Sequence, residues 1–443
     1  MKRQRNHNRF VFLLILCLAL NLGGCRAAGQ LKDELSQVSD GIAALLSENP
    51  DSHSPEKPDA ASQDRPDSTN GAWEDVTYDP LLYPYYGQLS QDAQAVYRQV
   101  CHYAAAQTPS LEPCRNLTED EAEAVMTAVY YDQPGLFWLD GDYEYRHLNG
   151  QVIELILHFN DLAQDLTANR QAFEKAALSI LDEARQASEP AARERIVHDR
   201  LLEGVIYDEN APYNQNAYSA LVGGFAVCAG YARAFQYLLL ELEIPCYYCV
   251  GTAVSYRDGP QGLVEDHAWN IVCLDGEYYN VDPTWNDTLL AERGLISYGY
   301  YNQTDDAFLA DHTRDVKSAE LPACTGTRFT YEALYGHPAE LGILPALGLS
   351  EEDVIYDLEA YYEHCLRTLV ESGPGESTLT AILWGEELCG AVQDSINSGA
   401  YENGFLSSAA KELSLNGFHF SVHLSFQEMG GGCYLLEQSM TLE

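Results

Sequence analysis

Apolar residues recur at three- and four-residue spacing over 90–106, and Thr118-Glu119-Asp120-Glu121 is a capping box that opens a second helix. The pattern then changes period. Residues 143–148 and 151–159 are apolar-rich and joined by Asn149-Gly150, which predicts a two-residue hairpin. A long polar-faced helix is expected over 166–187. Ser188 is expected to cap the next one, with Pro190 in its first turn and Ile196, Val197, Leu201 and Leu202 inside. His198 and Asp199 fall in that helix as structural residues. Cys228, Tyr231, Ala232, Phe235, Leu238, Leu239 and Leu242 then keep a 3.6-residue period, so a buried helix starts at or near Cys228. Strands follow over 246–252, 265–274 and 277–282, the last two joined by the hairpin turn Asp275-Gly276. Beyond Pro345 the pattern restarts: a helix over 351–370, a strand over 378–384, two helical stretches, and closing strands over 418–426 and 433–441.

The chain opens differently. Lys2, Arg3, Arg5 and Arg9 precede an apolar run over 10–20, and Leu22-Gly23-Gly24-Cys25 follows. A basic start, a short apolar core and small residues before a cut describe an export signal. Its ending resembles a bacterial lipobox, which implies lipidation of Cys25 and a mature protein anchored outside the cell membrane through that lipid only. Residues 47–71 are rich in Pro, Asp, Ser and Asn and too polar to bury a core, so they read as a tether. The expected organisation is a signal peptide at 1–24, a tether at 25–75, a main domain at 76–345 and a small α/β domain at 346–443. No chemical motif marks that last domain, so packing or partner contact is its expected role.

Charge narrows the partners. The formal net charge is −42, and losing the four cations ahead of Cys25 would take it to −46. Phosphate backbones would repel such a chain, which argues against nucleic-acid binding. The acidity reads as a solvated extracellular surface. The 12 cysteines show no dense disulfide framework. Cys246 and Cys249 lie three apart in a strand and so face opposite sides, which defeats both a zinc knuckle and a dithiol redox pair. No metal or cofactor is expected.

Cys228 carries the candidate chemistry. Gly223-Gly224 allows a sharp approach, and a thiol at a helix N-terminus meets the positive end of the dipole and free N–H groups. Both favour thiolate, and the same amides suit an oxyanion. By itself this cysteine also fits a buried apolar role. The hairpin supplies partners. Counting outward from Asp275-Gly276 places Trp269 opposite Asp282 and His267 diagonal to it on the same face, within carboxylate–imidazole reach. Trp269, Trp285 and Cys273 read as packing residues, and Asn270 points to the other face.

Val227-Cys228-Ala229-Gly230-Tyr231-Ala232, Asp266-His267-Ala268-Trp269-Asn270 and Asp282-Pro283-Thr284-Trp285 together resemble the transglutaminase-like superfamily, over about residues 195–286. The resemblance implies an α+β papain-like core (195–290) in which a cysteine-bearing helix packs on an antiparallel sheet, here with N-terminal helices and a hairpin ahead of it. It makes Cys228 the nucleophile, His267 the general base and acid, and Asp282 the orienting residue. Tyr218, upstream of the nucleophile, is an oxyanion-hole candidate by analogy with related folds. The flanking stretches 129–138 and 297–324 are similar to those of bacterial lipoproteins with this domain. The implied function is a cell-surface thiol peptidase or amidase acting on protein or cell-wall peptide. A crosslinking transglutaminase and a non-catalytic binding module are the alternatives.

Overall fold

Polar caps open the first helices. Ser90 accepts a hydrogen bond from the Ala93 amide at the head of α1 (Gln91–Ala105), and Thr118 and Glu121 close a reciprocal box on α2 (Glu119–Asp132). The computed structural model containing them describes residues 3–6, 73–255, 263–287, 296–335, 344, 347–415, 417–430 and 433–442. Cys25 and residues 25–72 of the expected tether lie outside these. No helix among the described residues is long and apolar enough to cross a membrane.

The first hairpin, β1 (Leu139–Leu148) and β2 (Gln151–Phe159), turns on Asn149 and Gly150 at φ 53° and 79°. These are the positive angles a type I′ turn requires. Arg3–Asn6 pairs antiparallel with the outer edge of β1. Next come α3 (Leu166–Ala184) and α4 (Pro190–Gly204). The cap of α4 is Glu189, not Ser188. Proline at the first helical position holds its predecessor in the extended conformation a cap adopts, so the boundary falls directly before Pro190.

The central sheet is built from β3 (Cys246–Ser255), β4 (Leu263–Leu274), β5 (Glu277–Val281) and β6 (His312–Arg314). It is antiparallel throughout, in the order β6-β3-β4-β5. Helix α5 (Cys228–Leu240) packs across it with Tyr231, Ala232, Phe235, Leu238 and Leu239 fully buried. Asn270 on β4 donates to the Ala232 carbonyl at 2.9 Å and ties helix to sheet. Arg233 and Gln236, on other faces of α5, donate to the carbonyls of Tyr130 and Tyr131 and tie it to α2. The fold is therefore α+β, with the cysteine-bearing helix on an antiparallel sheet. Cys246 lies in one apolar core and Cys249 in another, as their strand spacing predicts.

One glycine decides whether β6 can join. Gly251 on β3 faces His267 of β4 on one side and Arg314 of β6 on the other. A Cβ there would land on the Thr313 carbonyl and against the Trp269 ring. Gly251→Ala is expected to push β6 off the sheet and cost about 2 kcal/mol, as overpacking does. Urea denaturation checks this; an unchanged midpoint would refute it.

The C-terminal segment has its own core around Tyr361, Leu369, Ala381, Leu383, Leu436 and Met440. It comprises α6 (Leu358–Ser372), β7 (Gly375–Trp384), α7 (Glu386–Ser398), α8 (Phe405–Glu412), β8 (Phe420–Gly430) and β9 (Cys433–Leu442). The single helix expected over 351–370 is instead divided. Val354–Ile355 forms a short strand parallel to Ile382 and Leu383, and Asp357 caps a new helix by accepting from the Ala360 amide. Two β-branched residues gain more from burial in the sheet than from helix continuity.

Candidate active site

Three backbone devices bring Cys228 to the sheet. Residues Ser219–Gly223 form a single wide turn that ends at Gly224, whose φ of 72° is left-handed. Phe225–Ala226 then pairs in parallel with Ile206–Tyr207, and the Val227 amide donates to the Asn214 carbonyl at 3.0 Å. The chain thus enters α5 held on two sides, with Cys228 as its first residue. The Gly230 amide donates to the Val227 carbonyl at 2.9 Å, which leaves the Cys228 and Ala229 amides as the first-turn donors without an intrahelical acceptor. Gly230, also in that turn, touches the Asn214 carbonyl so closely that no side chain would fit.

His267 and Asp282 come from the hairpin. Asp275 and Gly276 adopt φ 50° and 84°, and Leu274 pairs with Glu277. The ladder continues without a bulge to Asn270 opposite Val281, which is the register expected from the turn. Past the last pair, the Asp282 amide leaves β4 and donates to the Tyr300 carbonyl at 2.9 Å. Its carboxylate divides two duties. Oδ1 accepts from the amides of Thr284 and Trp285 at 2.9 and 3.2 Å and caps the turn Pro283–Asn286. Oδ2 lies 2.6 Å from His267 Nε2. With Nε2 so engaged, Nδ1 is the ring nitrogen left for the Cys228 thiol, which is near enough to raise the histidine.

Electrostatics follow from that chain. Burial works against an imidazolium at His267, but Asp282 and Cys228 outweigh it and raise the histidine to about 10. Burial likewise opposes charge on Asp282, yet His267 and His312 hold its carboxyl well below the ordinary carboxylate range. Both partners are nearly or fully shielded from water.

The surroundings sort the remaining sequence candidates. Tyr218, the oxyanion candidate, has its hydroxyl and its ring engaged elsewhere. Its hydroxyl donates to Asn169 at 2.9 Å, and its ring packs against Phe137 and Phe173, which makes it part of the α3 interface. Tyr207, which the sequence did not single out, pairs with Ala226 two residues before Cys228; burial, then the fields of Cys228 and Glu209, pushes its hydroxyl up to about 12. Parallel pairing of two-residue strands brings it there, and such short strands leave no periodic signal. Trp269 is buried and bonds Asn280, while Trp285 rests against His267, so both tryptophans pack. Cys273 is buried. His198 and Asp199 support the site from below. The Asn286 amide meets His198 Nε2 at 3.0 Å, and the other ring nitrogen bonds Asp199, which steadies the turn that Asp282 caps.

A second histidine also reaches Asp282. His312, on β6, is buried with Nε2 3.3 Å from Oδ2 of Asp282. Their ligand atoms and that of His267 lie within 4.8 Å of one another, a spacing that three metal ligands can have. Here, however, the nitrogens already meet the shared oxygen directly.

Residues 178–283 match the model of the Transglutaminase-like superfamily, and Cys228, His267 and Asp282 all fall inside that stretch. The kyphoscoliosis peptidases of Homo sapiens and Mus musculus are each 32% identical to this chain over 102 residues. That match covers 21% of this chain and 15% of those proteins. Two solved structures align at 16% identity with a TM-score of 0.22. One, a TGase, is matched over 35% of this chain and 47% of its own. The other, the periplasmic domain of TgpA from Pseudomonas aeruginosa, is matched over 33% and 60%.

Proposed function

We propose that this chain, which carries a transglutaminase-like domain at residues 178–283, is a thiol enzyme that cleaves peptide or amide bonds through an acyl-enzyme on Cys228. The observation that carries this is the line of Cys228, His267 and Asp282, in which His267 meets Asp282 at 2.6 Å and feels the thiol on its other side. His267, protonated at neutral pH, already holds the proton given up by the thiol when the sulfur attacks the substrate carbonyl, forming a C–S bond and a tetrahedral oxyanion. The Cys228 and Ala229 amides at the head of α5 would receive that oxyanion. His267 then returns the proton to the departing amine as the C–N bond breaks, which leaves a thioester. Asp282 fixes the ring and stabilises the imidazolium throughout.

Either water or an amine can resolve the thioester. Hydrolysis is the favoured outcome, supported by the name peptidase borne by the human and mouse relatives and by the export signal at the start of the chain. Its substrates would be protein or cell-wall peptide, met by an enzyme anchored outside the membrane through lipid on Cys25. An amine-resolved product would instead make the protein a crosslinking transglutaminase.

Thiol labelling tests the nucleophile before any substrate is known. Among the described cysteines, Cys101, Cys246, Cys249, Cys273, Cys324 and Cys365 are buried, and burial pushes their thiols up. Cys228 is half-buried and acts on the pKa of His267. Iodoacetamide at neutral pH, followed by peptide mapping, is expected to modify Cys228 first, about tenfold more slowly in His267→Ala. Prior labelling of another cysteine with Cys228 intact would remove it as nucleophile. Peptide and amine substrates offered together would then distinguish hydrolysis from transfer by product mass.

A further inference from the structure

The Asp282 carboxylate serves two imidazoles, and the second lies outside the stretch that matches the superfamily. His312 has Nε2 3.3 Å from Asp282 Oδ2 and Nδ1 2.6 Å from Asp311 Oδ1. Ionised carboxylates only accept hydrogen bonds. An imidazole bonded to one at each nitrogen therefore carries both protons and a positive charge. The enclosure suits a cation. The rings of Phe308, Trp285, Trp269 and Tyr300 surround it with centroids 4.1, 4.6, 5.2 and 5.5 Å away. The Tyr300 hydroxyl donates to the other oxygen of Asp311 at 2.7 Å and fixes that carboxylate in turn. Arg314, two residues along the strand, is committed to Asp305 and takes no part.

We propose that His312 is a positioning residue that remains protonated, aims Asp282 Oδ2 at His267, and moderates the hold of that carboxylate on the His267 proton. The proposal rests on the catalytic function inferred above. Charges alternate along the line Asp311, His312, Asp282, His267, with Cys228 at its end. The His312 ring centroid is 5.4 Å from that of His267, so its charge opposes a proton there. Without it, Asp282 would answer to His267 alone, and His267 would release its proton to a leaving amine less readily. Burial disfavours the charge on His312 itself, but Asp282 and Asp311 outweigh burial and the neighbouring His267, and its pKa is raised.

The test uses the full-length protein. In nitrogen-15 histidine spectra of the unmodified sequence, His312, assigned by its loss in His312→Gln, is expected to be protonated at both ring nitrogens from pH 6 to 9. A singly protonated ring at pH 7 would overturn the proposal, and sequential assignment of the parent identifies His312 where the variant fails to fold. The pH profile of Cys228 alkylation gives the second readout. His312→Gln is expected to slow the neutral-pH rate about tenfold through lost positioning. It should also move the high-pH inflection of His267 upward by about one unit. Asp311→Asn should introduce a new inflection in the neutral range, because His312 then loses one of its two carboxylates. An inert Cys228 in the parent protein would defeat the catalytic function itself. A reactive Cys228 with the same profile in His312→Gln would defeat only the role of His312. Calorimetric titration with Zn²⁺ alone completes the set: tight binding lost in His312→Gln would make the cluster a metal site and overturn the proposal.

Discussion

Cys228→Ala is expected to lower turnover by about 10⁴-fold or more while leaving the melting temperature close to that of the parent. The loss is large because no other group in the line Cys228, His267, Asp282 can form the acyl bond. The fold survives because Cys228 is only half-buried, at the solvent end of a helix whose packing begins with Gly230 and Tyr231. Removing one sulfur there should cost less than about 1 kcal/mol. Steady-state assay on a peptide substrate, with thermal unfolding beside it, measures both. Retained turnover with an intact fold would mean that the reaction does not pass through Cys228, and target binding without turnover in the parent would make the domain a binding module.

Asp282→Asn carries the second large effect, a loss of roughly 10² to 10⁴ in turnover. The asparagine oxygen can still accept from Thr284 and Trp285, so the capped turn is retained. Its NH2 would then face His267 and His312, setting donors against donors. The stability consequence has a definite pH window. His267 has its folded pKa raised to about 10, so its contribution is complete below its unfolded pKa of about 6.5 and is lost as pH rises through about 10. Asp282 has its folded pKa depressed, so its contribution is present above its unfolded pKa of about 3.9 and is lost as pH falls through the folded value. These are one interaction seen from two ends. The difference between parent and variant should therefore be greatest near pH 5 to 6, at about 3 kcal/mol, and shrink toward either extreme. Urea denaturation across pH measures it; a difference independent of pH would mean that the pair is not ionised.

Much of this site is legible in the sequence. Asp275-Gly276 set the hairpin register, and the register alone put His267 and Asp282 on one face within bonding reach. The 3.6-residue spacing after Cys228 gave the helix and its buried side, with the thiol at its first residue. Such features depend on turn chemistry and periodicity within a dozen residues, so neighbouring side chains suffice to specify them. The approach of Cys228 to His267 was implied by resemblance to a family and by nothing in the spacing itself.

What escaped the sequence lies far apart along the chain or in very short elements. His312 reaches Asp282 across 30 residues on a strand of three, and only the Gly251 gap in β3 allows that strand to dock. Tyr207 comes to Cys228 through a two-residue strand, and Tyr218 turns to Asn169 on a helix 49 positions away. The Val354–Ile355 strand exists because a slot beside Ile382 and Leu383 accepts it. The sequence by itself determined the helix bearing Cys228, the hairpin bearing its partners, and the pairing of His267 with Asp282. Tertiary structure decided which second histidine shares that carboxylate and which tyrosine lies near the thiol. Closing long loops around a common core creates those contacts, and no local preference encodes where such a loop will land.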